Sequence, residues 1–441
     1  MSLLLHHFFP RNPTFGYETL RAAGYSNYGG ADLSEIIAIC SRIPSGNEDC
    51  WLREWQAAAD RAVANAKTSS EKGNSISAQQ AYLRASNYYR TAEFFRRDDP
   101  FNDDLAHTLY QKSVDTFVSA MKSVDHYFEE IDIPYEGTTL PGYFMRPDNK
   151  PLPRATIIFN GGFDSTKEEA WFAIASPALQ RGFNVLFFDG PGQGAVLREK
   201  RLFFRPDWES VITPVVDYTL SRADVAADKL VIFGWSMGGY LVSKAATKEH
   251  HTRLPKYMIR NHWDAAANAI LRLVMWTSTG TKWGLLNGKW TFGAASEAEF
   301  LRQVMAYTLE GSAGEIKTPA LILDAPEDHF LKGQPVALEK NMVCKTTLVA
   351  LTAEEGATPL TMLLAPLAKY SLSLISFPLG SRFKAVSIND DIILTDVPVK
   401  NILILEKRPM TYKRLSRGVD DRWLDYYGVV PKGSCLLPRR S

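Results

Sequence analysis

Between residues 16 and 124 the apolar positions recur at helical spacing. Trp51, Leu52, Trp55, Ala58, Ala59 and Ala62 fall at three- and four-residue steps, with polar residues on the intervening face, as an amphipathic helix requires. Ala81, Leu83, Ala85, Tyr88, Tyr89, Ala92 and Phe95 repeat the pattern over 78–97, and Leu105, Leu109, Val114, Phe117 and Met121 repeat it over 104–124. Lys72-Gly73-Asn74-Ser75 and Asp98-Asp99-Pro100-Phe101-Asn102 interrupt the run, so separate helices are expected. No fixed period links them, which argues against a repeat scaffold. Residues 1–124 read as an N-terminal helical module.

After residue 125 the period shortens. Tyr127 to Pro134 and Thr138 to Pro147 read as a β-hairpin joined at Tyr135-Glu136-Gly137. Short apolar runs then alternate with helical stretches. The runs are 155–159, 184–188, 229–233, 320–324 and 346–350, and the helices are expected over 167–180 and 241–247. Continuous apolar strands separated by helices predict an α/β protein, with a mostly parallel sheet covered on both faces. Residues 125–357 would form this core. The stretch 257–315, with Trp263, Trp276, Trp283 and Trp290, is less regular and reads as a possible lid. Residues 358–441 lack a clear pattern and carry scattered basic residues, Arg439 and Arg440 among them.

The bulk composition narrows the partners. With 441 residues, a length that suits a main domain plus a second module, the chain carries a formal net charge of +1, so neither nucleic acid nor an acidic membrane surface is expected to bind it. The segment Met1 to Pro10 lacks the basic start and the long apolar run of a signal peptide, and no stretch has the length of a membrane span. A cytoplasmic protein is expected. Cys40, Cys50, Cys344 and Cys435 stand at unrelated spacings and read as incidental thiols. No dinucleotide fingerprint, phosphate loop or cluster of metal ligands occurs, so no cofactor or metal is expected. The expected partner is a small-molecule substrate; a homodimer is left open.

The chemistry concentrates at Gly234-Trp235-Ser236-Met237-Gly238. A GxSxG stretch between an apolar strand and a helix forces a tight turn that lifts the serine hydroxyl clear of the sheet. The helix start behind it favours developing negative charge. Ser236 is thus the candidate nucleophile, against the plainer reading of a glycine-rich turn. Asn160-Gly161-Gly162-Phe163-Asp164, after an earlier strand, fits the second oxyanion donor, pairing the amide of Phe163 with that of Met237. A carboxylate after a late strand fits the order Ser, Asp, His, and Asp328 and its neighbour Glu327 both stand there, with a helix-capping acid as the plain alternative. Asp189 in Asp189-Gly190-Pro191-Gly192-Gln193-Gly194 reads as structural. Arg201, Arg205 and Asp207 line either a pocket or the solvated surface.

These strings resemble a family of helical-capped α/β hydrolases known from bacteria and fungi. Several fungal members belong to polyketide–amino acid hybrid clusters such as those for fusarins and cytochalasans. The likeness is carried by Ser26-Asn27-Tyr28-Gly29-Gly30-Ala31-Asp32, Arg84-Ala85-Ser86-Asn87-Tyr88-Tyr89-Arg90, Gly161-Gly162-Phe163-Asp164-Ser165-Thr166, Phe188 to Gly194 and Arg205-Pro206-Asp207-Trp208, and runs to about Ala357. It implies an α/β-hydrolase fold, Asp328 as the triad acid, and action on a polyketide-derived carbonyl compound by hydrolysis or assisted ring closure. A pseudo-hydrolase that shields an intermediate and a general detoxifying esterase are the alternatives.

The likeness stops abruptly. Relatives carry a histidine just after the counterpart of Ala357, where this chain reads Thr358-Pro359-Leu360-Thr361-Met362-Leu363. The histidines are His6, His7, His107, His126, His250, His251, His262 and His329, so none follows residue 329. A shifted reading frame or misjudged exon would leave such a break; a divergent tail on a protein without turnover is the alternative. His329 and His262 are the remaining candidates for the base, and His250 with His251 read as a surface pair.

Overall fold

The sheet order is β1-β2-β4-β3-β5-β8-β6-β7. Its strands are β1 (Tyr127–Tyr135), β2 (Thr138–Arg146), β3 (Arg154–Asn160), β4 (Asn184–Phe188), β5 (Val225–Gly234), β6 (Ala320–Asp324), β7 (Thr346–Ala350) and β8 (Leu374–Ile375). This computed structural model describes residues 8–123, 126–247, 264–324, 333–350 and 374–375. The strands β4, β3 and β5 run parallel, as do β6 and β7, while β1, β2 and the short β8 pair antiparallel.

The central apolar runs of β3, β4 and β5 form strands because both of their faces are buried. Ile158, Leu186 and Ile232 lie on one face with Val211, Val215 and Leu241 of the covering helices. Their neighbours Ile157, Phe159, Val185, Phe187, Val231 and Phe233 lie on the other, with Leu20, Phe117 and Met121 from the N-terminal helices. Alternate residues of a strand point to opposite faces, so helices on both sides leave no position for a polar run. At the hairpin, Glu136 (φ 39°) and Gly137 (φ 79°) both take left-handed backbone. That two-residue turn matches the twist of paired strands, and Tyr135 sits opposite Thr138.

The N-terminal helices are Pro13–Gly24, Leu33–Cys40, Glu48–Glu71, Ser75–Glu93 and Asp104–Lys122. Asn12, Asp32, Asn47 and Asp103 cap four of them by accepting from first-turn amides. An aromatic knot holds them together, with Phe15 against Trp51 (ring centroids 4.6 Å) and Phe95 (4.9 Å). Alanines 58, 59, 62, 85 and 92 are all buried there and let the helices approach closely. Cys40 and Cys50 are free and buried, and burial pushes the Cys40 thiol up to about 11. Among the described residues no helix is long and apolar enough to cross a membrane.

Two stretches depart from the periodicity. The single helix expected over 167–180 is three pieces, a 3-10 turn Lys167–Glu169, a wide π turn Trp171–Ala175 and an α turn Ser176–Gln180. Pro177 offers no N–H to the preceding turn, the Trp171 indole donates instead to Tyr28 O (3.1 Å), and Phe172 stacks on Tyr25. The irregular-looking stretch 257–315 contains helices Asp264–Met275, Thr279–Phe292 and Glu297–Val304. Ser278 and Ser296 cap the second and third by accepting from Thr281 N and Glu299 N.

Phe117 is the joint between the helix Asp104–Lys122 and the sheet, with its ring 5.3 Å from that of Tyr143. Phe117→Ala is expected to cost about 3–5 kcal/mol in urea unfolding. Ile76→Ala, at a side chain 66% exposed, should stay within about 0.5 kcal/mol.

Candidate active site

β3 and β5 are neighbours, and their last pair is Asn160 with Gly234. Past this pair β5 turns directly into the helix Met237–Ala245, with Ser236 between at φ 55°, ψ −128° and exposed. A non-glycine residue held there stores about 1–3 kcal/mol of backbone strain, so the surrounding packing must enforce it. A Cβ on Gly238 would lie 2.3 Å from Asn160 O and 2.5 Å from Gly161 O. One on Gly234 would lie 2.4 Å from Gly238 O. The glycines of the elbow are therefore steric requirements. The Trp235 amide donates to Asn160 O (3.1 Å) and the Gly238 amide to Trp235 O (2.8 Å). The Met237 amide is the first of its helix and has no carbonyl a turn earlier to receive it.

The loop after β3 is held one peptide at a time. Asn160, fully buried, receives the Trp208 indole N–H (2.9 Å) and donates to Gly161 O (3.0 Å). Gln193 donates to Gly161 O (2.7 Å) and Gly162 O (2.9 Å) while its own carbonyl receives the Gly190 amide. Ser165 Oγ takes the Gly162 amide at 2.8 Å. Gly162 faces the serine, since a Cβ there would stand 3.0 Å from Ser236 Cβ. The next amide along is that of Phe163.

Asp164, beside Phe163, enters a buried ionic cluster. Its Oδ2 receives Arg21 Nη1 (2.5 Å) and Arg90 Nη2 (3.1 Å). Arg21 also forks onto Glu169 (3.1 and 2.9 Å), Arg90 reaches Glu18 (3.0 Å), and the Tyr25 hydroxyl donates to Glu169 (2.6 Å). Burial pulls the Asp164 carboxyl up, but the two guanidiniums outweigh it and hold it below the usual range. Burial wins at Glu18, whose carboxyl is raised despite the same two arginines. Glu169 also closes the turn that begins at Thr166, through a capping box.

Aromatic rings flank this meeting point. Phe163 lies 6.0 Å from Trp283 and 6.3 Å from both Phe292 and Phe300, between ring centroids. Tyr240, one turn beyond Ser236, lies 5.8 Å from Tyr307, which is 5.1 Å from Phe292. Burial raises both phenols, so they stay protonated as donors at neutral pH.

Of the sequence-derived candidates, Ser236, Met237 and Phe163 are brought to one edge of the sheet. Asp328, Glu327, His262 and His329 lie outside the described residues, as do the His250–His251 pair, Cys435 and the proposed tail other than Leu374–Ile375. His107 is exposed on its helix. His126 precedes β1, where Tyr127 pairs with Arg146. That is the amino-terminal edge of the parallel strands, opposite the edge where Ser236 stands. Asp189 receives the amides of Lys167 (2.8 Å) and Ala195 (2.9 Å) and pairs with Lys167 Nζ, a role that ties two loops together. Arg205 is bonded to Asp207, Glu136 and the Tyr135 hydroxyl, and Arg201 stacks over Phe101. Sequence reasoning did not single out Gln193, Ser165 or the Arg21–Arg90–Asp164–Glu169 cluster. Gln193, Ser165, Arg90 and Asp164 lay in the strings that carry the family likeness, while Arg21 and Glu169 lay outside them and carried no signal.

Comparison with known proteins agrees with this fold. Residues 157–386 match the model of the Alpha/beta hydrolase family, and residues 41–250 match Esterase FrsA-like proteins. A hydrolase from a Fusarium species is 32% identical over 362 residues, covering 75% of this chain and 86% of that protein. The 20-hydroxy-prefusarin hydrolase of Gibberella moniliformis is 32% identical over 348 residues, covering 72% and 83%. The crystal structure of a 2,6-dihydroxy-pseudo-oxynicotine hydrolase superposes with a TM-score of 0.60 at 21% identity, over 78% of this chain and 91% of that one, which speaks to the fold alone. With this family match and this extent of likeness to named hydrolases, the chain belongs to the α/β hydrolase family.

Proposed function

We propose that the protein is a serine hydrolase whose nucleophile is Ser236, acting on a bulky polyketide or polyketide–amino acid carbonyl compound of fungal secondary metabolism. The observation that carries this reading is the strained, exposed Ser236 at φ 55°, pressed against Gly162 at the start of a helix. In this reading Ser236 Oγ forms a bond to the substrate carbonyl carbon and its proton passes to a base. The oxyanion is received by the amides of Phe163 and Met237, and Asp328 orients the base. The leaving group departs with that proton. Water then attacks the acyl-serine to give the acid, or an internal nucleophile of the substrate attacks to close a ring, and either restores the hydroxyl.

Two observations support the substrate class. The partly exposed rings of Phe163, Trp283 and Tyr307, backed by the buried Phe292 and Phe300, suit a large apolar ligand. A relative 32% identical to this chain is a 20-hydroxy-prefusarin hydrolase. One sequence observation favours a second reading, a protein that binds and shields such an intermediate without turnover. No histidine follows residue 329, so the base is to be sought at His329 or His262.

Labelling of the purified 441-residue protein with a fluorophosphonate probe tests the first reading. The parent is expected to label and Ser236→Ala to lose the label completely. A well-folded parent that takes no label would refute an activated serine and leave the binding reading standing. Gly162→Ala, which pushes a methyl group toward Ser236, should slow labelling by about a hundredfold, the typical loss when an oxyanion donor is misplaced. His329→Ala and His262→Ala should separate in the same assay: the variant lacking the base labels at a small fraction of the parent rate, and the other at the parent rate. Equal, undiminished labelling of both would rule out the two histidines as the base.

A further inference from the structure

Two of the N-terminal helices converge on one carboxylate beside the chemistry. Arg21 belongs to the helix Pro13–Gly24 and Arg90 to the helix Ser75–Glu93, and both end on Asp164 Oδ2. Asp164 is the residue after Phe163, whose amide is the oxyanion donor if Ser236 is the nucleophile. Before Phe163 the loop is held by Gln193 on the carbonyls of Gly161 and Gly162 and, from within the loop, by Ser165 on the Gly162 amide. The bond to Gly162 O orients the Gly162–Phe163 peptide plane, which also carries the Phe163 N–H, and the Asp164 side chain holds the chain immediately after it.

The C-terminal side of the loop is anchored to the same two arginines. Arg21 forks onto Glu169, and Arg90 Nε stands 3.4 Å from Glu169 Oε1. Glu169 in turn receives the Thr166 amide (3.3 Å). Both guanidiniums are buried, at 9% and 6% side-chain exposure. Planar guanidiniums making paired bonds define direction as well as charge. A buried cluster of this kind contributes little net stability over an apolar packing of the same volume, so its value lies in geometry.

We propose that Arg21 and Arg90 are positioning residues that aim the Phe163 amide at the oxyanion, acting through Asp164. The proposal rests on the reading of Ser236 as nucleophile. It gives the helical module a role in the chemistry distinct from covering the substrate.

The test uses Asp164→Asn, which keeps an acceptor oxygen but loses the charge, and Arg90→Lys, which keeps the charge but loses the planar fork. Phe117→Ala serves as a comparator destabilised away from the site. In fluorophosphonate labelling, both clamp variants are expected to lose about tenfold or more in the maximal rate of serine modification, with the half-saturating probe concentration unchanged. Phe117→Ala should keep the parent rate. Amide hydrogen exchange of the full-length protein reads the loop directly. The amides of 161–166 should exchange about tenfold faster in both clamp variants, the loss expected for one charged hydrogen bond, and those of 184–188 at the parent rate. Clamp variants that fold, label and exchange at parent rates overturn the proposal, as does an equal loss of labelling in Phe117→Ala. The exchange arm needs no turnover: an unlabelled parent would remove the serine reading, while parent-like exchange at 161–166 would separately remove the clamp.

Discussion

The closeness of two strand ends governs the rest of the structure. β3 and β5 are parallel neighbours in register to Asn160 and Gly234, and beyond that pair both chains must turn within a space that admits no extra side chain. The Gly238 Cα sits so near the carbonyls of Asn160 and Gly161 that a single added carbon would overlap them. Ser236 is forced into left-handed backbone by this crowding. The strain persists because both strands are buried on each face, so the sheet cannot relax to relieve it.

Around that constraint lies a polar lattice with few slack members. Asn160, Gln193 and Ser165 each bind a main-chain group of the loop, and Trp208 binds the Asn160 side chain. Arg21, Arg90 and Glu169 hold its far side. Three carboxylates, Glu18, Asp164 and Glu169, face the two guanidiniums, and burial raises the Glu18 carboxyl while the arginines hold that of Asp164 below its usual range. The guanidiniums thus favour the ionised form of Asp164 over that of Glu18. The contribution of Asp164 is present above the ordinary carboxylate range and fades as pH falls through the depressed value.

Much of this was legible in the sequence. The strands at 184–188, 320–324 and 346–350 coincide with their apolar runs to the residue, the first two because they are buried parallel strands that tolerate little else. The elbow was legible because glycine on both sides of Ser236 is a steric necessity. The helix expected over 167–180 broke where Pro177 interrupts the ladder and where Trp171 and Phe172 find partners near Tyr28 and Tyr25, more than a hundred residues away in the chain. Contacts at that separation leave no periodic trace. The same holds for the ionic cluster, since Arg21 and Arg90 sit in their helices as ordinary polar letters until the fold brings Asp164 to them. Asp328, favoured on family likeness alone, lies outside the described residues.

The sheet is not uniform along its width. Among the described residues, the pairing between β5 and β6 is made by Leu374–Ile375, which matches two residues of β5 and one of β6. Elsewhere β3 and β4 share five successive pairs, as do β6 and β7. Opening free energies follow the density of main-chain pairing and burial. The strained serine turn thus stands at the end of a densely paired, doubly covered stretch of sheet, where local opening costs most.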